Sequence, residues 1–262
     1  MVALIVAAHG CANQRVEWDS ERRVTGVMAP GSTLVLLEAG VPAVRAVWEP
    51  VRWPDDSLAC DGTRTAIRAL GDTVYASWWT RAAPAEVRLV ASRSDDAGIH
   101  WRAADTVGRA ASARTARDSC RRPAAGLGLD STSGGVLVVY HGQAAEHQGV
   151  LLVRYSAGTP RAVPPALVAE GASTGIASVA SAGDTVAVVF ESPLPNDIGV
   201  WLAISSVSGD IPGIRVALSA SGIRAFAPAV AMRDGRVAVA WNEPRRGEFG
   251  PAAVARVGRI AR

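Results

Sequence analysis

The feature that most constrains the fold of this chain is a hairpin-like unit that recurs along most of its length. Each copy has an apolar stretch, a turn rich in glycine and aspartate, and a second apolar stretch that ends in an aromatic residue. When the copies are aligned on Val74, Val136, Val186 and Val237, they advance by 62, 50 and 51 residues. The paired stretches are residues 65–70 with 73–79, 123–130 with 136–140, 175–181 with 185–190, and 227–232 with 236–241.

One or two further apolar stretches follow each copy, for example 150–155 and 200–205, so that a unit holds four strands. A weaker copy lies upstream, with stretches at 23–28, 32–37 and 44–49. A four-stranded unit repeated at this spacing is typical of a propeller blade, because a small sheet can bury its faces only against its neighbours. We therefore predict an all-β propeller of five four-stranded blades, or of six if one blade has diverged beyond recognition.

The competing all-β interpretation is an immunoglobulin-like sandwich, which does not predict the same hairpin at near-constant spacing. The last unit lacks a fourth apolar stretch. An N-terminal strand is expected to complete it, because this would remove an exposed sheet edge.

Length and composition favour one sizeable domain over residues 22–262, since a chain of 262 residues with 49% hydrophobic content can bury a large core. The net charge of +3 comes from 27 basic residues, all of them arginine, scattered among 24 acidic ones. Nucleic-acid binding would require these cations to cluster, so we do not expect it. The histidines and cysteines are dispersed and do not have the spacing of metal ligands. Gly126-Leu127-Gly128 is an isolated glycine pattern, which indicates a strand and not a phosphate-binding loop. No cofactor is therefore expected.

Residues 1–21 differ from the rest and are interpreted as a leader followed by a polar tether. An apolar run over residues 1–8 precedes Gly10 and Cys11, which resembles a secretory signal that leaves a lipid-modified cysteine. The alternative is that residues 1–8 form a first β-strand. Export predicts a protein outside the cytoplasm, either secreted or held at the cell envelope by lipid on Cys11. We expect the protein to be a monomer.

The segment 94–101 fits the pattern Ser-x-Asp-x-Gly-x-x-Trp, carried by Ser94, Asp96, Gly98 and Trp101. Asp96 can accept hydrogen bonds from backbone N–H groups that follow it, and glycine takes a positive φ at little cost. The segment resembles the Asp box of the sialidase-like β-propeller family, the bacterial neuraminidase repeat. The resemblance implies a structural turn between the third and fourth strands of a blade, on the face away from the ligand.

The other two cysteines, Cys60 and Cys120, precede adjacent units by similar distances, 14 residues before Val74 and 16 before Val136. In an oxidising compartment they could form a disulfide, provided that their Cα atoms come within about 7 Å. The alternative is two buried thiols.

Propeller topology predicts where a binding site would lie. If each first strand crosses the ring and the second returns, the loops before first strands and after second strands share one face, opposite the 94–101 turn. Loops before first strands contribute Arg64, Arg121, Arg122 and Arg224. Loops and ends of second strands contribute Trp79, Arg81, Tyr140, His141, Glu191, Trp241, Asn242, Glu243, Arg245 and Arg246.

Arginines, acids and aromatic residues on one face favour a carbohydrate site, because aromatic rings stack on sugar faces and the guanidinium fork binds carboxylates in a bidentate manner. We expect the ligand contacts to come from Arg64, Arg121, Arg122, Arg224, Trp79 and Trp241. We therefore expect an exported propeller that recognises a glycan. A sialic-acid-like sugar is one candidate for this ligand.

Two alternatives stay open. The resemblance implies an exo-sialidase, in which three arginines hold the substrate carboxylate and a tyrosine activated by a glutamate is the nucleophile. Tyr140 is the best-placed tyrosine, with Glu191 or Glu243 as its partner, but the Phe/Tyr-Arg-Ile-Pro motif of that family is absent. The other alternative is a non-enzymatic scaffold for protein interactions.

Overall fold

The computed structural model of the protein describes residues 15–18, 22–23, 65–83, 86–111, 122–156, 164–206, 214–244 and 250–261. All regular structure in these ranges is β, and four consecutive groups of strands follow the four repeats of the sequence. Among the described residues, no helix is long and apolar enough to cross a membrane.

Each group is an antiparallel meander, here called blades A to D. Blade A contains β3 (Ala66–Leu70), β4 (Thr73–Ala83), β5 (Glu86–Ser94) and β6 (Asp105–Ala111). Blade B contains β7 (Gly126–Leu129), β8 (Val136–Ala144), β9 (His147–Tyr155) and β10 (Ala166–Glu170). Blade C contains β11 (Ala177–Ala182), β12 (Thr185–Glu191), β13 (Val200–Ser206) and β14 (Ile214–Ala217).

Blade D is completed by the N-terminal part of the chain. It contains β15 (Phe226–Arg233), β16 (Arg236–Pro244) and β17 (Pro251–Ala261). The free edge of β17 is covered by two short strands, β1 (Arg15–Trp18) and β2 (Arg22–Arg23). The missing fourth apolar stretch predicts an N-terminal strand here, whereas the polar composition of the segment that includes residues 15–18 predicts a tether. The structure corrects that interpretation for these residues, since a polar segment can still pair through its backbone.

Successive blades pack face to face, and the first strand of each contacts the first strand of the next: β3 with β7, β7 with β11, and β11 with β15. Blades A and B are also joined by one residue pair, Arg109 with Gln143. Four-stranded meanders stacked in this radial order confirm the predicted all-β propeller. The weak repeat at 23–49 lies outside the described residues apart from Arg23, so five versus six blades stays a prediction.

The core lies between blades, in separate clusters. In β8, Val136, Val138 and Tyr140 face blade A, whereas Leu137 and Val139 face blade C. A third cluster fills the space between blades C and D. A central strand is therefore apolar on both faces, which explains why this part of the sequence reads as a continuous run of apolar residues. Each fully buried Val or Leu side chain contributes about 1.5–3 kcal/mol.

Candidate functional site

The segment 94–101 lies between β5 and β6, the third and fourth strands of blade A, where the sequence analysis placed it. Ser94 is buried, and its hydroxyl donates to Asp96 Oδ1 at 2.7 Å while accepting from the N–H of Gly98 at 2.8 Å. Asp96 Oδ1 also accepts from the N–H of His100 at 2.8 Å. Gly98 has a φ of 94°, a conformation that favours glycine.

This turn belongs to one face of the propeller, here called the turn face. The N–H of Ala97 donates to the carbonyl of Asp72, so the turn is anchored to the β3–β4 turn of the same blade. Ser94, Asp96, Gly98 and His100 are hydrogen-bonded to one another, and the arrangement is that of a structural turn. The opposite face, here called the mouth face, carries the loops that enter first strands and the hairpins between second and third strands.

Several of the predicted site residues lie outside the described part of the chain. These are Arg64 and Arg121 among the predicted ligand-binding residues, together with Arg245 and Arg246 and all three cysteines, Cys11, Cys60 and Cys120. The described residues of the mouth face are sufficient to define a local site around Arg122.

Arg122 lies just before β7, and its guanidinium carbon stands 5.5 Å from the centre of the Trp79 ring. One of its terminal nitrogens donates to the carbonyl of Ala111. Trp79 is 1% exposed and donates from Nε1 to the carbonyl of Pro123 at 3.0 Å. The indole is thus a rigid platform under a half-buried cation, a stabilising cation–π arrangement. Burial lowers the pKa of the Arg122 guanidinium, which nevertheless stays charged at neutral pH.

Tyr140, the predicted nucleophile, packs edge-on against Trp79 with ring centres 5.9 Å apart. It is 2% exposed, and its hydroxyl has no hydrogen-bond partner among the described residues. Burial raises the pKa of this phenol above its ordinary value. A Cβ added at Gly108 would lie 2.7 Å from the hydroxyl oxygen, so the ring is closely surrounded. In this environment Tyr140 acts as a packing residue between blades A and B.

The two predicted carboxylate partners have other contacts. Glu191 accepts a hydrogen bond through Oε1 from the N–H of Ala227 at 2.8 Å, which connects blade C to the irregular start of β15. Glu243 accepts through Oε1 from Trp241 Nε1 at 2.7 Å. Among the described residues, neither carboxylate is hydrogen-bonded to Tyr140. The structure therefore does not assemble the predicted pair of tyrosine and glutamate.

Of the remaining predicted ligand contacts, Trp241 is buried and Arg224 is exposed. Trp241 is 2% exposed, with the Arg256 guanidinium carbon 5.7 Å from its ring centre, so its ring is a core element of blade D rather than an open stacking surface.

A narrow cleft opens beside Arg122. It lies between the end of β6, the β8–β9 hairpin and the loop between β10 and β11. The polar side chains that line it belong to Arg122, His141, Gln143, Gln148, Ser173 and Thr174. Its interior has room for about one water molecule.

His141 is the most informative residue of this cleft. It is 5% exposed, its Nδ1 lies 3.1 Å from the carbonyl oxygen of Ser173, and its Nε2 has no partner among the described residues. Burial, with a smaller contribution from the charge of Arg122, lowers the pKa of His141 to about 4, and the bond to Ser173 opposes this shift. His141 is therefore neutral at pH 7, with a buried polar atom left unsatisfied.

The sequence predicts His141 on the mouth face but not as a ligand contact. Gln143, Gln148, Ser173 and Thr174 are not among the residues predicted from the sequence. The rule that identified Arg122 could have found them, because they too lie in a hairpin after a second strand or a loop before a first strand. Among the described residues, no group of three or more histidine, cysteine or acidic side chains could hold a metal ion.

Neither a protein-family model nor a curated protein matches this sequence. Solved structures with a similar chain include a GH43 endo-arabinanase from Bacillus licheniformis, with 12% identity and a TM-score of 0.41 over 73% of this chain and 71% of that one. An α-L-arabinanase from Penicillium chrysogenum complexed with arabinobiose has 13% identity and a TM-score of 0.48, over 76% and 63%. A sialidase from Trypanosoma rangeli has 12% identity and a TM-score of 0.43, over 74% and 29%.

This chain spans less than two thirds of the length of the Penicillium arabinanase and of the Trypanosoma sialidase. With these identities and TM-scores, the likenesses carry no argument about function.

Proposed function

We propose that this propeller binds a carbohydrate at its mouth face, in the cleft beside Arg122. The observation that carries the proposal is the pairing of a half-buried guanidinium on the Trp79 ring with a buried His141 whose Nε2 is unsatisfied. Binding pockets commonly combine an apolar wall with a few well-placed polar groups of this kind.

The chemistry of the cleft suits hydroxyl-rich ligands. Arg122 supplies N–H donors, while the amides of Gln143 and Gln148 and the hydroxyls of Ser173 and Thr174 can both donate and accept. Sugar hydroxyls also donate and accept, so they can satisfy such a mixed set. The rigid Trp79 platform keeps Arg122 in place and reduces the entropy lost on binding.

Binding without hydrolysis is the version of this function that the contacts favour. An exo-sialidase would need Tyr140 to act as a nucleophile, yet this hydroxyl is buried and burial raises its pKa. Glu191 and Glu243, its predicted partners, accept hydrogen bonds from Ala227 and Trp241. No contact of the described residues specifically favours the scaffold function.

The matched variants Arg122→Ala and Arg233→Ala test the proposal on a glycan array and by titration calorimetry. Arg233 lies on the turn face, in the exposed β15–β16 hairpin, and provides the control. We expect Arg122→Ala to weaken glycan binding about tenfold to a hundredfold, because it removes a charged hydrogen-bond donor, and Arg233→Ala to leave affinity unchanged.

A fluorogenic sialoside separates the alternatives. Turnover that disappears in Tyr140→Phe would establish the sialidase function instead. The absence of both glycan binding and turnover would leave the scaffold function.

We also propose that the protein works outside the cytoplasm, anchored through Cys11. The support is the apolar run that precedes Gly10 and Cys11 in the sequence. Export would place Cys60 and Cys120 under conditions in which a disulfide can form.

A further inference from the structure

The tautomer of His141 determines what its unsatisfied nitrogen can bind. The carbonyl oxygen of Ser173 can only accept a hydrogen bond, so Nδ1 of His141, 3.1 Å away, carries the proton. In the neutral ring Nε2 then carries no proton, and its lone pair can accept a hydrogen bond. The ring is neutral at pH 7, because burial lowers its pKa to about 4. His141 lines the cleft, so its ring brings a buried hydrogen-bond acceptor to the cleft wall.

The buried Nε2 acceptor is incomplete without a donor. A buried polar atom that has no partner loses the hydrogen bond that water would give it in the unfolded chain. Among the described residues none donates to Nε2. The cleft that His141 lines has room for about one water molecule, which is also the size of a single hydroxyl group. A ligand hydroxyl could thus enter where a carboxylate or sulfate would need a wider cleft.

The charged groups around His141 lead to the same ligand chemistry. Arg122 is the only charged residue among the described ones lining the cleft, and Gln143, Gln148, Ser173 and Thr174 are neutral. Arg122 has further N–H donors beside the one bonded to the Ala111 carbonyl, whereas Nε2 accepts and has no donor among the described residues. A carboxylate satisfies Arg122 but turns its own lone pairs toward Nε2. A hydroxyl group satisfies both partners, since it donates one hydrogen bond and accepts others.

We propose that the cleft selects neutral sugars, with one ligand hydroxyl donating to His141 Nε2 and accepting from Arg122. This inference rests on the proposed carbohydrate-binding function and names the ligand class of that same site. It departs from the carboxylate-bearing ligand that the sequence analysis included, since it makes His141 the residue that discriminates against acidic sugars.

Matched neutral and acidic oligosaccharides test the inference on the full chain. Lactose with 3′-sialyllactose, and xylotriose with its glucuronate-bearing form, are the probes for calorimetry at pH 7. We expect the neutral member of at least one pair to bind ten times more tightly. Tighter binding of the acidic members would overturn the inference and leave the proposed function intact. Failure of every glycan on an array to bind would remove both.

The dependence of affinity on pH has opposite signs for the two ligand classes. Protonation of His141 removes the acceptor, so affinity for a neutral sugar should be flat from pH 7 to 5. It should then fall about twofold at pH 4 and about tenfold at pH 3, with folding checked by circular dichroism at each pH. For an acidic sugar the affinity should instead rise over this range, because a protonated imidazole attracts an anion. Affinity for the neutral sugar that stays constant or rises as the pH falls to 3 would contradict the inference.

Two substitutions distinguish the ligand contact from a structural role. His141→Asn keeps an N–H near the Ser173 carbonyl but has no acceptor at the position of Nε2, so it should lose neutral-sugar binding at least tenfold. His141→Gln places an amide near Nε2 and should retain more affinity than His141→Asn. The reverse order, or an NMR spectrum that shows the proton on Nε2 of the wild-type ring, would overturn the assignment.

Discussion

At the residue scale, Asp96 shows how one carboxylate holds a turn together. Its two oxygens accept hydrogen bonds from the N–H of His100, the hydroxyl of Ser94 and the His100 ring, the last with Oδ2 and Nδ1 2.6 Å apart. These contacts, named here from the largest effect to the smallest, lower the pKa of Asp96 to about 2. Three of the motif's residues, Ser94, Asp96 and Gly98, form one local network, and for this reason the sequence was sufficient to locate the turn.

The depressed pKa of Asp96 predicts a pH-dependent contribution to stability. Because the folded-state pKa lies below the unfolded value near 4, the stabilisation is complete above that value and is lost as the pH falls toward about 2. We expect Asp96→Ala to unfold at lower urea concentration than the wild type at pH 6, with a difference that shrinks toward pH 2. Asp184→Ala, in the exposed β11–β12 turn, is the control. A difference that stays constant over this range would exclude the carboxylate as its source.

At the scale of elements, the approach of neighbouring blades depends on glycines in β7. A Cβ at Gly126 would lie 2.5 Å from the carbonyl oxygen of Ala177, and a Cβ at Gly128 would lie 2.6 Å from that of Val179. Both neighbours are backbone atoms of β11, the first strand of the next blade. The sequence predicts a strand at Gly126-Leu127-Gly128, and the structure shows the reason for the glycines, since only a hydrogen atom fits between the two strands.

Gly128→Ala is therefore expected to destabilise the protein by about 1–3 kcal/mol, because the added methyl group forces the backbones of β7 and β11 apart. Urea denaturation measures the loss, and hydrogen exchange should show reduced protection in both strands. Ala231→Val adds methyl groups at an exposed position of β15 and should change the free energy of unfolding by no more than about 0.5 kcal/mol. Equal effects of the two substitutions would contradict the close approach.

At the scale of the whole molecule, the large apolar clusters lie between blades. They fill the spaces between A and B, between B and C, and between C and D, and polar contacts such as Glu191 with Ala227 cross the same boundaries. A smaller cluster of Ala76, Trp78 and Val90 lies within blade A. No single blade can bury both faces of its own strands. A covalent link between two blades would thus stabilise the ring as a unit.

The cysteine pair is the predicted link of this kind. Cys60 and Cys120 lie outside the described residues, and each precedes by six positions the first residue of a first strand, Ala66 and Gly126 respectively. Since β3 and β7 are in contact, a disulfide between the cysteines is expected in exported protein. Thiol titration of the unfolded, unreduced mature protein should find neither of them free. Reduction should lower stability by about 4 kcal/mol, the value expected for a closed loop of this length. Two free thiols after oxidative export would rule out the link.

The sequence by itself determined the repeat, the strands and most of the turns, because these depend on residues close together in the chain. The continuous apolar run in Val136–Tyr140 and the network around Asp96 are examples. Only the tertiary structure decided that Arg15–Trp18 covers the edge of β17, that Tyr140 and Trp241 are buried, and that the predicted glutamates have other partners. It also brought His141 of β8 to the Ser173 carbonyl, 32 residues further along. The physical reason is that a strand fixes only which of its two faces a side chain points to, whereas burial, partners and pKa depend on the blade that packs against that face.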